Sequence, residues 1–563
     1  MRKAAAFLLV FSLSATPLAA ASRRPVAAKH GMVSSVSDLA SKVGVDILRR
    51  GGNAVDAAVA VAFALAVVWP EAGNLGGGGF MLVRTADGKT EAIDYRETAP
   101  AAATPNMYLD ASGNVIPRRS THGWMAVAIP GTVAGLAMAH ERHGKLPWRE
   151  LVAPAEQLAR DGFIVSEALA DRASWPEHAA RLDLFPATRR TFGRLHAGDR
   201  LVQRDLANTL ARIAKNRHDF YTGETARRLV AEMRTNGGII TAADLASYKP
   251  VVRQPLRGTY RGYDVITMPP PSGGGVALVE MLNMLSAYDP SAIGWHSSQH
   301  IHTLVEIMRR AMADRAQYVA DPAFADVPVA RLTSMAHADA RRRTIDPGHA
   351  SEIGPGELPN ESQNTTHFVV IDAQGAVVSN TFTMNDSFGS GAVAKGTGFL
   401  LNDEMDDFTT KLRAPNAWGF VQGERNTIAP GKRPQSSMCP TIVMKDGHVA
   451  FALGSPGGPT IPTNVLQVIS NIIDFGMNVQ EAIESPRVHH QWMPDAIAWE
   501  ERAMPADVRE RLAAMGHHFI DHPGTPTTEG EHFLGDVEVI AIDEDGIRRG
   551  GADPRRGGAA RGY

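Results

Sequence analysis

Hydrophobic positions recur every three or four residues over two early stretches of the chain. Leu39, Val43 and Ile47 mark one helix face, which Gly51-Gly52 brings to an end. Residues 54–68 carry one charge, Asp56, and so predict a helix buried on nearly every side. Gly76-Gly77-Gly78-Gly79 reads as a glycine turn into a strand at Phe80-Met81-Leu82-Val83, with Ala86-Asp87-Gly88 as a hairpin turn. Helical spacing returns over 276–285, entered through the turn 269–275, and at Ile301, Leu304, Val305, Met308 and Met312. Between 347 and 363 no apolar period remains; proline, glycine and asparagine predict a surface loop or linker. Alternation then takes over. Residues 367–371, the turn 372–375 and residues 376–383 predict a hairpin, and further strand pairs flank Asp446-Gly447 and residues 543–546. Residues 464–474 predict a helix with Val465, Leu466, Ile469 and Ile473 inward. A helix-rich first part and a strand-rich second part make this an α/β-type chain, joined by a loop immediately before two threonines.

Composition narrows the classes. At roughly 100–200 residues per domain, 563 residues alone would suggest about three domains, though large α/β layers can absorb more. Hydrophobic residues at 44% and charged residues at 21% fit a packed globular protein. A net charge of −3 provides no basic field, which argues against a nucleic-acid partner. The single cysteine, Cys439, excludes an internal disulfide framework and a cysteine zinc cage. At the start, Arg2 and Lys3 precede an apolar run over 4–13, then Pro17 and Leu18-Ala19-Ala20-Ala21, which ends in small residues. That order reads as a secretory signal cleaved near Ala21, too short to span a bilayer. The later apolar run 57–69 stops at Pro70, so no membrane span is expected, and the mature protein is expected to be periplasmic or secreted.

Familiar chemistries drop out in turn. There is no GxxxxGK[ST] phosphate loop, and 76–79 lacks dinucleotide spacing. His140-Glu141-Arg142-His143 is one residue short of a zinc-protease motif, and no GxSxG elbow occurs. His489-His490, His517-His518 and the set His296, His300, His302 lack a ligand pattern and read as surface or core histidines. What remains is Glu361-Ser362-Gln363-Asn364-Thr365-Thr366-His367. A threonine hydroxyl is a weak nucleophile without an adjoining base. Cutting the chain before the threonine supplies one, because the new α-amine (pKa about 8) takes the proton.

Several blocks, in order, resemble those of γ-glutamyltranspeptidases. They are Gly51-Gly52-Asn53-Ala54-Val55-Asp56-Ala57-Ala58, residues 72–80, Asp94-Tyr95-Arg96-Glu97, Thr365-Thr366-His367, residues 402–408, Arg433-Pro434-Gln435-Ser436-Ser437-Met438 and Gly454-Ser455-Pro456-Gly457-Gly458. Asp553-Pro554-Arg555 and the terminal Gly562-Tyr563 continue the match. The resemblance implies an N-terminal-nucleophile hydrolase, an α-β-β-α sandwich that cleaves itself into two subunits. The cut would fall between Asn364 and Thr365, after a signal over 1–21, giving a large subunit over 22–364 and a small one over 365–563.

By the same resemblance, Thr365 is the nucleophile and Thr383 its hydrogen-bond partner, while Gly457 and Gly458 turn N–H groups toward the oxyanion. A γ-glutamyl end carries an α-carboxylate and an α-ammonium on one carbon. Arg96 would fork onto the carboxylate with the hydroxyls of Ser436 and Ser437, and Asn385, Glu404 and Asp407 would take the ammonium. Glu404 and Asp407, three apart, share one side of a turn or short helix. Trp418, within a loop over 412–423, would close over the pocket as a lid. The implied activity is γ-glutamyl transfer and glutathione hydrolysis, with amino acids or dipeptides as acceptors and no metal or organic cofactor. The rivals are a cephalosporin (glutaryl) acylase, a poly-γ-glutamate-processing enzyme, or a binding protein that never matures.

Overall fold

The computed structural model describes residues 22–351, 365–412, 414–416, 421–520, 525–526 and 532–563. Fourteen strands build two seven-stranded antiparallel sheets. They are β1 (Val26–Ala28), β2 (Met32–Ser35), β3 (Gly78–Arg84), β4 (Thr90–Asp94), β5 (Val251–Arg253), β6 (Leu256–Tyr260), β7 (Tyr263–Thr267), β8 (Thr366–Ile371), β9 (Val377–Thr383), β10 (Thr441–Lys445), β11 (His448–Gly454), β12 (Glu538–Ile542), β13 (Arg548–Gly551) and β14 (Ala559–Gly562). One sheet runs β1-β13-β12-β11-β10-β7-β6 and the other β14-β2-β8-β9-β3-β4-β5.

The sheets stack face to face, and helices cover both outer faces. Along β8 the apolar residues therefore point both ways. Phe368 and Val370 join the core under the helices Asp38–Arg49 and Ala54–Val68. Val369 and Ile371 join Ile442, Phe451 and Val539 between the sheets. The helices Gly273–Leu285, Ser298–Tyr318 and Ile461–Ile473 pack on the opposite face. This is the α-β-β-α sandwich that the motif order implied.

Length alone suggested about three domains, but the two halves of the sequence interleave. Residues before 351 supply β1–β7 and residues after 365 supply β8–β14, and each sheet takes strands from both. β2 pairs with β8 and β14, β3 with β9, and β1 with β13. Neither half closes a sheet alone.

Two local expectations change. The stripe Leu39, Val43, Ile47 is only partly inward: the buried face is Ala40, Gly44, Val45, Ile47 and Leu48. Helix Ala54–Val68 is buried at every position, so its neighbour approaches with its smallest residues; a Cβ at Gly44 would lie 2.6 Å from Val61 Cγ2. The run Gly76–Gly79 is not a turn, since none of the four has a positive φ and Gly78 and Gly79 already belong to β3. They are glycines for close approach: a Cβ on Gly77 would sit 2.0 Å from the Thr383 carbonyl oxygen. The predicted helix over 464–474 begins earlier, at Ile461, and Ile473 is only half-buried.

The helix contact gives a stability prediction. Gly44→Val must push two packed helices apart, and overpacking costs typically about 1–3 kcal/mol. The urea midpoint of Gly44→Val should fall accordingly; an unchanged midpoint would show that the contact yields freely.

Candidate active site

Pairing of β8 with β9 sets Thr366 opposite Phe382, which brings Thr365 to the level of Thr383. The Thr365 hydroxyl donates to Thr383 Oγ1 at 3.4 Å, and the Asn385 N–H donates to the same oxygen at 2.9 Å. Asn385 has φ +76°, a left-handed conformation that asparagine tolerates better than most residues. Its Nδ2 donates to the Asp403 carbonyl at 3.2 Å. By strand alternation Thr365 faces the layer between the sheets, at its open end.

His367, two residues on, lies 2.9 Å from Thr381 Oγ1 through Nδ1. Its ring is covered by Gly454, where a Cβ would lie 2.4 Å from Cε1. Burial pushes the imidazole down to about 3, so it is neutral at physiological pH.

The chain leaving β11 brings the glycines. Gly457 (φ +126°) and Gly458 (φ +51°) both need the conformational freedom of glycine. Gly458 opens a short 3₁₀ turn that runs straight into the helix Ile461–Ile473. N–H groups in a first helical turn have no intrahelical acceptor, and Gly458 lines the cleft beside Thr365.

Across the cleft stand one cation and its carboxylates. Arg96 follows β4, and Glu404 and Asp407 sit on one short 3₁₀ turn, Glu404–Asp407. Arg96 Nη1 pairs with Glu404 and Nη2 with Asp407, while Nη2 also donates to the Gln435 carbonyl at 3.1 Å. Arg96 and Glu404 are buried, and Asp407 opens to the cleft. Burial weakens the Arg96 cation, but the charges of Glu404 and Asp407 outweigh it and raise its pKa. Burial likewise raises the carboxyls of Glu404 and Asp407 against the pull of Arg96. The sequence reading assigned the cation and the anions to opposite ends of a ligand; in the structure they pair with each other. Such pairing is what buried charges require when nothing else neutralises them.

Ser436 and Ser437 complete this wall. The Ser436 carbonyl accepts from the N–H groups of Gly273 (2.7 Å) and Gly274 (3.2 Å). The close approach demands glycine, since a Cβ on Gly274 would lie 1.9 Å from the Ser437 carbonyl oxygen. Together Thr365, Thr383, Arg96, Asn385, Glu404, Asp407, Ser436, Ser437 and Gly458 line one small cleft of about 20 Å³. Gly457 immediately precedes it. Asn364, Trp418 and the segment 1–21 lie outside the described residues. Around the expected lid, Gln422 Nε2 and Asn426 Nδ2 donate to the Asp407 carbonyl at 3.0 and 2.7 Å.

Four lining or supporting residues escaped sequence reasoning. Met438 and Ile461 are apolar wall, with no signal to separate them from core. Glu97 is buried 3.6 Å from Arg96 Nη1, and burial holds its carboxyl up to about 8. Arg315 lies behind Ser437 on a helix face that is otherwise apolar, a break that was legible. The histidines are mostly core, as read. His302, Glu306 and His517 meet away from the cleft, as do Glu280, Asp314 and His337. Glu306 is already engaged by Arg310 Nη1 at 2.5 Å and the Ser351 N–H at 3.1 Å.

A γ-glutamyltranspeptidase family model covers residues 40–563. A glutathione hydrolase proenzyme of Pseudomonas sp. (strain A14) is 46% identical over 97% of this chain and 96% of its own. That of Escherichia coli (strain K12) is 47% identical over 94% of this chain and 91% of its own. Among solved structures, a cephalosporin acylase from Bacillus halodurans superposes with a TM-score of 0.82 at 30% identity, covering 99% of both chains.

The buried His367 yields a pH prediction. Its pKa drops from the ordinary 6.5 to about 3 on folding, so within that window the unfolded chain binds the extra proton. Stability therefore rises with pH across the window and is lost as pH falls from 6.5 toward 3. His367→Gln should flatten the urea midpoint against pH between 6 and 4, by at most about 1.4 kcal/mol per pH unit. An unchanged slope would contradict the neutral, buried assignment.

Proposed function

The chain belongs to the γ-glutamyltranspeptidase family, and from that premise we propose a self-cleaving γ-glutamyltransferase and glutathione hydrolase whose nucleophile is Thr365. The observation that carries the reading is the cleft itself. A hydroxyl immediately before a strand shares one small cleft with an arginine, two carboxylates and two serines.

In the precursor, the Thr365 hydroxyl attacks the carbonyl of Asn364, collapse breaks the Asn364–Thr365 C–N bond and frees the α-amine, and hydrolysis of the resulting ester restores the hydroxyl and leaves the Asn364 carboxylate. The large subunit is 22–364 and the small one 365–563, and the interleaved sheets hold them as a heterodimer. The freed amine then accepts the hydroxyl proton as Oγ attacks the γ-carbonyl of the donor. N–H groups at Gly457 and Gly458 stabilise the tetrahedral oxyanion, and the amine product leaves with the proton. Water, or the amine of an amino acid or dipeptide, resolves the γ-glutamyl ester.

Donor binding follows from the charge pairing. An incoming α-ammonium competes for Glu404, Asp407 and the Asn385 side-chain oxygen. Arg96, released from them in part, forks onto the α-carboxylate beside Ser436 and Ser437. The zwitterion exchanges one set of ion pairs for another, so no buried charge is left alone. A glutaryl side chain lacks the ammonium and offers the carboxylates nothing. That favours γ-glutamyl transfer over acylase chemistry, although an acylase shares the fold. The apolar start of the chain supports export. No helix among the described residues is long and apolar enough to cross a membrane.

Two experiments test the reading. Thr365→Ala should remain one chain of full length and be inactive, while Thr365→Ser should mature slowly and retain some activity. Splitting of purified Thr365→Ala at the same bond would refute the nucleophile. Asp407→Asn should lower kcat/KM for γ-glutamyl-p-nitroanilide by an equivalent of about 2–4 kcal/mol and raise the relative rate on glutaryl-p-nitroanilide. Wild-type preference for the glutaryl amide would transfer the assignment to acylase.

A further inference from the structure

The helix Ser298–Tyr318 buries Ile301, Leu304, Val305, Met308 and Met312, and the next residue of that stripe is Arg315. Arg315 is 2% exposed and does not line the cleft, whereas Ser437 does. Arg315 Nη2 donates to Ser437 Oγ at 3.0 Å. The arginine is held from both sides. Its carbonyl accepts from Gln435 Nε2 at 2.9 Å, and Gly273 packs so close that a Cβ there would lie 2.9 Å from its Cγ. Burial pushes Arg315 down to about 10, with Asp407 supporting the charge and Arg96 opposing it, so it is a cation at neutral pH.

A hydroxyl has one proton to give and lone pairs to receive. Because Arg315 donates into Ser437 Oγ from behind, the Ser437 proton cannot be spent on Arg315 and must find an acceptor elsewhere. The cleft side offers that direction, and an α-carboxylate is an acceptor of the right charge. Arg96 alone meets this need poorly, since Glu404 and Asp407 already hold its guanidinium.

We propose that Arg315 is a positioning residue that sets Ser437 as a hydrogen-bond donor to the substrate α-carboxylate and places a second positive charge behind it. The proposal deepens the functional reading above and rests on it. It assigns Arg315 a role in specificity: selecting γ-acyl donors that carry an α-carboxylate over otherwise identical donors that lack one.

The test compares L-γ-glutamyl-p-nitroanilide with 4-aminobutyryl-p-nitroanilide, which keeps the ammonium but has no α-carboxylate. For matured Arg315→Met, kcat/KM on the γ-glutamyl donor should fall about 10–100-fold, mainly through KM, the scale of one hydrogen bond to a charged group. Activity on the 4-aminobutyryl donor should stay within about 2-fold, a selectivity that a purely structural role would not produce. Arg315→Lys should recover part of the loss, and adding Arg315→Met to Ser437→Ala should cost little more than Ser437→Ala alone. If Arg315→Met fails to mature, Arg315→Lys measured on both donors decides the question by the same selectivity. Equal losses on the two donors, no loss on either, or full additivity with Ser437→Ala would overturn the proposal. A wild-type enzyme that ignores the γ-glutamyl donor but cleaves the glutaryl amide would instead refute the functional reading itself.

Discussion

The antiparallel register of β8 against β9 pairs Thr366 with Phe382, and one step further Thr365 meets Thr383. Every other part of the site is located relative to that point. β3 lies against β9 with Gly78 opposite Thr383, so the glycine run presses its backbone under the partner threonine. On the facing sheet β11 delivers Gly454 onto His367, and Gly457 and Gly458 follow beside Thr365. A slip of one residue would turn the Thr365 hydroxyl toward the helices and bring Val369 and Ile371 out of the inter-sheet core. Burial of both sheet faces is what prevents it.

Charge is the second constraint. Arg96, Glu404 and Asp407 are drawn from segments more than 300 residues apart, and they meet where water is scarce. Unpaired, any one of them would be costly to bury. Paired, one guanidinium stands against two carboxylates, a cluster that the proposed zwitterionic ligand would enter by exchange. The same balance reaches Arg315, whose charge is tolerated because Asp407 lies near it.

Interleaving reconciles a cut chain with a stable fold. Each sheet contains strands from before 351 and after 365 in adjacent places, so a break between the halves removes no strand pairing. Separation would expose both central cores at once. In the proposed enzyme, Thr365, immediately before β8, would become the amino end of the small subunit while its side chain stays beside Thr383, which is the requirement for a nucleophile that uses its own amine as base.

Much of this was legible in the sequence. Period-two alternation on either side of 372–375 fixed the hairpin, while the level of Thr365 with Thr383 comes from the observed register, Ile371 opposite Val377. The three-residue spacing of Glu404 and Asp407 fixed their shared turn, and the apolar run 54–68 fixed a helix without a wet face. These are local properties, carried by spacing along one segment. Three features were decided only by tertiary structure. Gly76–Gly79 serve close approach rather than a turn, because the backbones that crowd them belong to residues 95, 381, 383 and 400, most of them far away in sequence. Arg96 holds Glu404 and Asp407 because burial forces opposite charges together wherever the chain brings them. The two compositional halves form one body rather than separate domains, because strand pairing depends on matching edges and not on order in the sequence. Periodicity reports which way a residue faces; only packing reports what it faces.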